Sequence, residues 1–125
     1  MDRGIDRRAA LRQYKETPRP MGVFRVCNKQ SGRWFIGASV DVPAMLNRQR
    51  FQLEVGSHPN PALQREWKQL GADAFAFETL DLLTPPEDRP GYDPRADLRT
   101  LEAMWRERLT RLYGAGYHDE TTPGV

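Results

Sequence analysis

The residues of this 125-residue chain best suited to chemistry on an anion are its arginines. Residues 1–50 hold eleven Lys/Arg against four Asp/Glu, a balance of +7, whereas residues 51–125 hold eight against thirteen, a balance of −5. Nine of those eleven are arginine: Arg3, Arg7, Arg8, Arg12, Arg19, Arg25, Arg33, Arg48 and Arg50. A guanidinium presents a planar fork of donors that fits two phosphate oxygens at once, so such a half-chain suits an anionic partner. An ordinary solvated surface gives the same count. The chain has two histidines, His58 and His118, and imidazole is the side chain that can take up a proton near neutral pH. Cys27 stands alone, so no internal disulfide forms. Its place in an apolar strand fits a buried thiol better than a nucleophile.

These groups need a scaffold, and the pattern supplies one. "GVFRVC" and "RWFIGA" read as strands over 22–27 and 33–38, with Asn28 to Gly32 as the turn of a hairpin. Asp41 followed by Pro43 caps a helix that runs to about Glu54, with Ala44, Leu46, Phe51 and Leu53 marking its apolar path. "GSHPN" is a loop, and Asn60-Pro61 opens a second helix with Leu63, Trp67 and Leu70 as its stripe and Gly71 as its stop. Residues 74–83 read as a third strand. Asp93-Pro94 starts a long helix to Tyr113, with Leu98, Leu101, Trp105, Leu109 and Leu112 inward. An amphipathic helix over 5–16 precedes them all, stopped by Thr17-Pro18-Arg19-Pro20.

The expected order is helix, strand, strand, helix, helix, strand, helix. That gives an α+β fold, a small three-stranded antiparallel sheet flanked by helices. Residues 1–20 form an N-terminal helix and linker, 21–118 a single domain, and 119–125 a flexible tail, with His118 in the turn-rich end of the chain and exposed. No apolar run approaches the roughly 20 residues of a membrane span, and the amino terminus lacks the apolar stretch of a secretory signal. A cytoplasmic protein is expected.

The triplets GVF at 22–24 and FIG at 35–37 resemble the signature of the GIY-YIG nuclease domain. "NPALQREWKQLGADAFAFETLDLL" is similar to that family's second helix and third strand, "LEAMWRERL" to its last helix, and "GYH" at 116–118 to a common GYN. The resemblance implies a domain that cuts DNA phosphodiesters with one divalent metal. A strand tyrosine would activate water, a helix arginine would stabilise charge on the phosphate, and a glutamate would hold Mg2+ or Mn2+.

Carried over position by position, the tyrosines fall at Phe24 and Phe35, the arginine at Met45, a histidine at Gln49 and the final asparagine at His118. Glu102 stands at the metal position, and Gly22, Gly37 and His58 are kept. Relocated chemistry would use Arg48, one turn beyond Met45, with His58 or His118 as the base. Arg25, Arg33, Arg48 and Arg50 are the candidates for phosphate contact. The implied partner is DNA. The activity is lost, weak or rebuilt; an active Mg-dependent endonuclease and a module that binds a protein partner are the alternatives.

Overall fold

A computed structural model describes residues 19–118. The helix expected over 5–16 and the tail 119–125 lie outside the described residues.

Strand β1, Met21–Asn28, is joined by a tight turn to β2, Trp34–Ser39. The Asn28 side chain makes the turn, its Oδ1 accepting from the amides of Gln30 at 2.9 Å and Ser31 at 3.3 Å. Helices α1, Val42–Val55, and α2, Pro61–Leu70, follow. A 3-10 turn at Ala72–Ala74 leads into β3, Phe75–Leu83, and α3 spans Arg95–Tyr113. The helix starts follow from capping: the Asp41 side chain accepts from the Ala44 amide, and Asn60 accepts from the Leu63 amide. α1 ends at Gly56, whose φ of 82° is readily adopted by a residue without a Cβ.

The sheet order is β2-β1-β3, antiparallel throughout. Val26 faces Phe35 and Phe24 faces Gly37 across one pair. Across the other, Val23 pairs with Asp81 but Phe24 pairs with Thr79, so Leu80 is an extra residue. This bulge lets Leu80 and Asp81 both serve the α3 side. Leu80 packs on Val23, Trp34, Ile36 and Leu109, and Asp81 Oδ2 accepts from Trp105 Nε1 at 3.0 Å. The opposite face packs Val26, Phe35, Phe75 and Phe77 against Leu53, Leu63 and Trp67 of α1 and α2. The result is a sheet between two helical layers.

Four expectations of burial need correction, the first being Leu70, which is 40% exposed at the end of α2. Phe51 and Ala44 lie on the outward side of α1, Phe51 being 62% exposed; Val42, Gln49 and Leu53 are its buried residues. Gln49 is tolerated inside because its amide is fully used, as described below. Leu112 is 64% exposed, because the inner stripe of α3 ends with Leu109 and the chain then turns back at Gly114. Cys27 is half-buried rather than buried. Burial pushes its thiol pKa up, with Arg25 opposing, which keeps it protonated.

Candidate functional site

Four of the positions inherited from the resemblance, Phe24, Phe35, His58 and His118, gather around one ring. Phe24 on β1 lies over Gly37 of β2, where a Cβ would come within 2.7 Å of the Phe24 ring. The Phe24 and Phe35 ring centres are 6.5 Å apart. His58, delivered by the α1–α2 loop, meets Phe35 edge-on at 5.2 Å. His118, delivered by the segment after α3, stacks on Phe35 at 4.5 Å and 12°. Phe35 is therefore clasped by two imidazoles, one from the α1–α2 loop and one from the segment after α3.

Both ring nitrogens of His58 and Nε2 of His118 are committed within the protein. His58 Nδ1 accepts from the Asn60 amide at 3.0 Å, which places the ring hydrogen on Nε2, donated to Gln49 Oε1 at 2.5 Å. Gln49 Nε2 in turn reaches Met45 Sδ at 3.6 Å. His118 Nε2 accepts from the Ile36 amide at 3.0 Å, so it belongs to the packed structure and is not the exposed tail residue expected from sequence. Gln64 completes this buried polar set, accepting from the His58 amide and donating to the Leu53 carbonyl. No hydroxyl enters the cluster at positions 24 or 35, and both ring lone pairs described here point at backbone amides.

Burial lowers the His58 pKa from 6.5 to about 4. The folded state thus excludes a proton that the unfolded chain takes up. The stabilisation is complete above pH 6.5, falls as the pH drops toward 4, and totals at most about 3 kcal/mol. Urea midpoints of wild type and His58→Gln should therefore converge as the pH falls from 7 to 4. A gap that stays constant would show that His58 keeps no such neutral form.

Glu102 lies on α3. Its Oε2 accepts from Arg106 Nη2 at 3.2 Å, one helical turn away. Among the described residues, no group of three or more His, Cys, Asp or Glu is gathered where a metal ion could be held. A hard cation needs oxygen ligands. Phe24, Phe35 and Met45 supply none, and the one carboxylate already faces a guanidinium. Glu102 is therefore the one residue of the inherited set that could hold a divalent ion, with water completing the shell.

The arginine candidates divide into two kinds. Arg25 donates from Nε and Nη2 to Glu78 Oε1, at 2.9 and 2.7 Å. Arg33 Nη1 meets Glu66 Oε2 at 2.5 Å, with its guanidinium 4.3 Å over the Tyr117 ring. Arg50 lies 4.3 Å over Phe77. Arg48 is exposed on α1 and forms no ion pair among the described residues. The hairpin arginines are thus braced inside the molecule, and Arg48 is the candidate most open to a ligand.

Sequence reasoning missed the network around Glu66. Tyr117 Oη donates to Glu66 Oε1 at 2.5 Å, and Asn28 Nδ2 donates to the same oxygen at 3.0 Å and to Tyr117 Oη at 3.2 Å. Burial alone would raise the Glu66 pKa, but the Tyr117 and Asn28 hydrogen bonds and the Arg33 charge together bring it below the usual carboxylate value. The Tyr117 pKa moves up, by burial first and then by the bond to Glu66. One signal was present: position 66 follows Leu63 by three residues, on the buried stripe of α2.

No protein-family profile matches the chain, and no curated protein matches it. Two solved structures do. A mutant of the catalytic domain of intron endonuclease I-TevI aligns at TM-score 0.61 and 19% identity, over 78% of this chain and 92% of that one. The catalytic domain of homing endonuclease I-TevI aligns at TM-score 0.60 and 21% identity, over 77% of this chain and 96% of that one. With the same three-stranded sheet and flanking helices, the chain has a GIY-YIG-like, nuclease-type fold.

Proposed function

We propose that this protein is a DNA-binding domain of nuclease-type fold whose phosphodiester-cleaving centre has been filled in by packing. The observation that carries this reading is the clasp on Phe35. His58 and His118 hold the ring from two sides, and their lone pairs are spent on the Asn60 and Ile36 amides.

Hydrolysis of a diester needs a proton acceptor and a stabiliser of the charge that develops on the phosphate. Loss of the first costs about 10²–10⁴ in rate, and loss of a main stabilising donor about 10²–10³. Phe24, Phe35 and Met45 supply neither function. The likeness to endonuclease catalytic domains supports DNA as the ligand, and the uncommitted, exposed Arg48 supports contact with phosphate.

The test is nicking of supercoiled plasmid with Mg2+ or Mn2+, using wild type beside Glu102→Ala. The expected result is no nicking that depends on Glu102, together with DNA binding that weakens steeply as salt rises. Metal-dependent nicking abolished in Glu102→Ala would overturn the reading and establish a centre rebuilt around Glu102, Arg48 and a histidine.

A further inference from the structure

The outward side of α1 carries a feature that packing does not explain. Measured from the buried Val42, Gln49 and Leu53 at 3.6 residues per turn, Ala44, Arg48, Phe51 and Val55 fall on the opposite side of the helix. Phe51 is 62% exposed and Val55 56%. A phenyl ring held in water forfeits its burial energy, on the order of 2 kcal/mol. Arg48, three residues before Phe51, shares its side of the helix. Arg48 is exposed without an ion pair, and the Lys68 side chain crosses the α1 terminus, its Cε 3.8 Å from where a Cβ of Gly56 would sit. Arg65 is exposed on the same side of α2, and His58, Gln64, Arg65, Lys68 and Gln69 line a groove of about 470 Å³ there.

Ion pairing differs between this layer and α3, although the net charge of the two is alike. Along α3, Glu102 pairs with Arg106 and Glu107 with Arg111, so those charges cancel. On the α1–α2 side, Glu54 is the exposed carboxylate among Arg48, Arg50, Arg65 and Lys68. The layer is net basic with an aromatic at its crest.

We propose that this ridge binds single-stranded DNA, with a base stacked on Phe51 and the flanking phosphates held by Arg48 and Lys68. The inference rests on the DNA-binding reading above and deepens it by naming the form of DNA. A duplex turns its base faces inward and offers phosphates, which would use the cations but leave the ring idle. A single strand offers both. Base–aromatic stacking is worth about 1–3 kcal/mol per base and needs no particular sequence.

The experiment is fluorescence anisotropy with a labelled oligothymidylate, an oligouridylate and a mixed-sequence duplex, titrated with the full chain. Oligothymidylate should bind tightest. Phe51→Ala should weaken that binding about 5- to 150-fold, the factor equivalent to one stacked base, while Phe51→Tyr retains it. Duplex affinity and the thermal midpoint should stay put, because Phe51 is exposed. Arg48→Ala should flatten the salt dependence by close to one phosphate contact. Single-strand binding indifferent to Phe51→Ala, or a preference for duplex, would overturn this proposal and leave DNA binding standing. Tighter binding of the uridylate would overturn the DNA assignment of the ridge. No binding to any of the three would overturn the ridge and the proposed function together.

Discussion

Replacing Trp34 by alanine is expected to cost about 3–5 kcal/mol, the range for removing a large aromatic from a core that cannot close over the gap. Trp34 is 1% exposed and packs with Val23, Ile36 and Leu109, with Leu80, Leu101 and Trp105 around them. Its Nε1 donates to the Gly114 carbonyl at 3.1 Å, which fastens the chain just beyond α3 to the sheet. Gly116 lies so close that a Cβ there would stand 2.7 Å from the indole. The cavity would be walled by the sheet, by α3 and by this returning segment, none of which can move inward without losing other contacts. A domain of this size has roughly 5–15 kcal/mol in total, so the variant should unfold at a far lower urea concentration. Trp34→Phe should lose less, chiefly the hydrogen bond. A shift of under 1 kcal/mol in Trp34→Ala would mean that the indole is not the keystone its contacts suggest.

Glu66→Ala should also be damaging, toward the low end of the roughly 3–5 kcal/mol for breaking a buried ion pair, because this pair is only partly buried. The Glu66 and Arg33 side chains are 18% and 23% exposed. The substitution strips Arg33, Asn28 and Tyr117 of a shared acceptor at once. Its pH dependence has a defined sign. Because the folded pKa lies below the ordinary 4.5, the stabilisation is present above that value and disappears as the pH falls through the folded one. Stability measured from pH 6 to pH 3 should therefore drop more steeply in wild type than in Glu66→Gln. Parallel profiles would remove Glu66 from the acid response.

Much of the fold could be read from local chemistry. The caps Asp41 and Asn60, the Asn28 turn and the stop at Gly71 each act within a few residues of sequence, and each lies where the pattern puts it. The orientation of α1 could not be read this way. Its apolar path suggested Phe51 inward, whereas the inward position belongs to Gln49, a polar residue admitted by His58 nine residues away. The bulge at Leu80 was hidden for a similar reason, since it depends on register against β1 and on Trp105 of α3. At the candidate site, the residue substitutions at 24, 35 and 45 were visible in the sequence. What the sequence left open was where the imidazoles point, because His118 is fixed by the Ile36 amide 82 residues away and His58 by a buried glutamine on the preceding helix. Arg25 and Arg33 looked like phosphate ligands because their counter-charges, Glu78 and Glu66, arrive 53 and 33 residues later.

The sheet order also governs how the chain can mature during translation. The middle strand is the first one made, and its far edge waits for β3, whose first partner, Phe75 against Asn28, is 47 residues downstream. At a synthesis rate of about 5–20 residues per second, that edge stays open for roughly 2–10 s after the first strand has left the ribosome. During that interval the nascent hairpin presents an unpaired strand edge. The interval is set by the order of the strands, so changes to the buried core cannot shorten it.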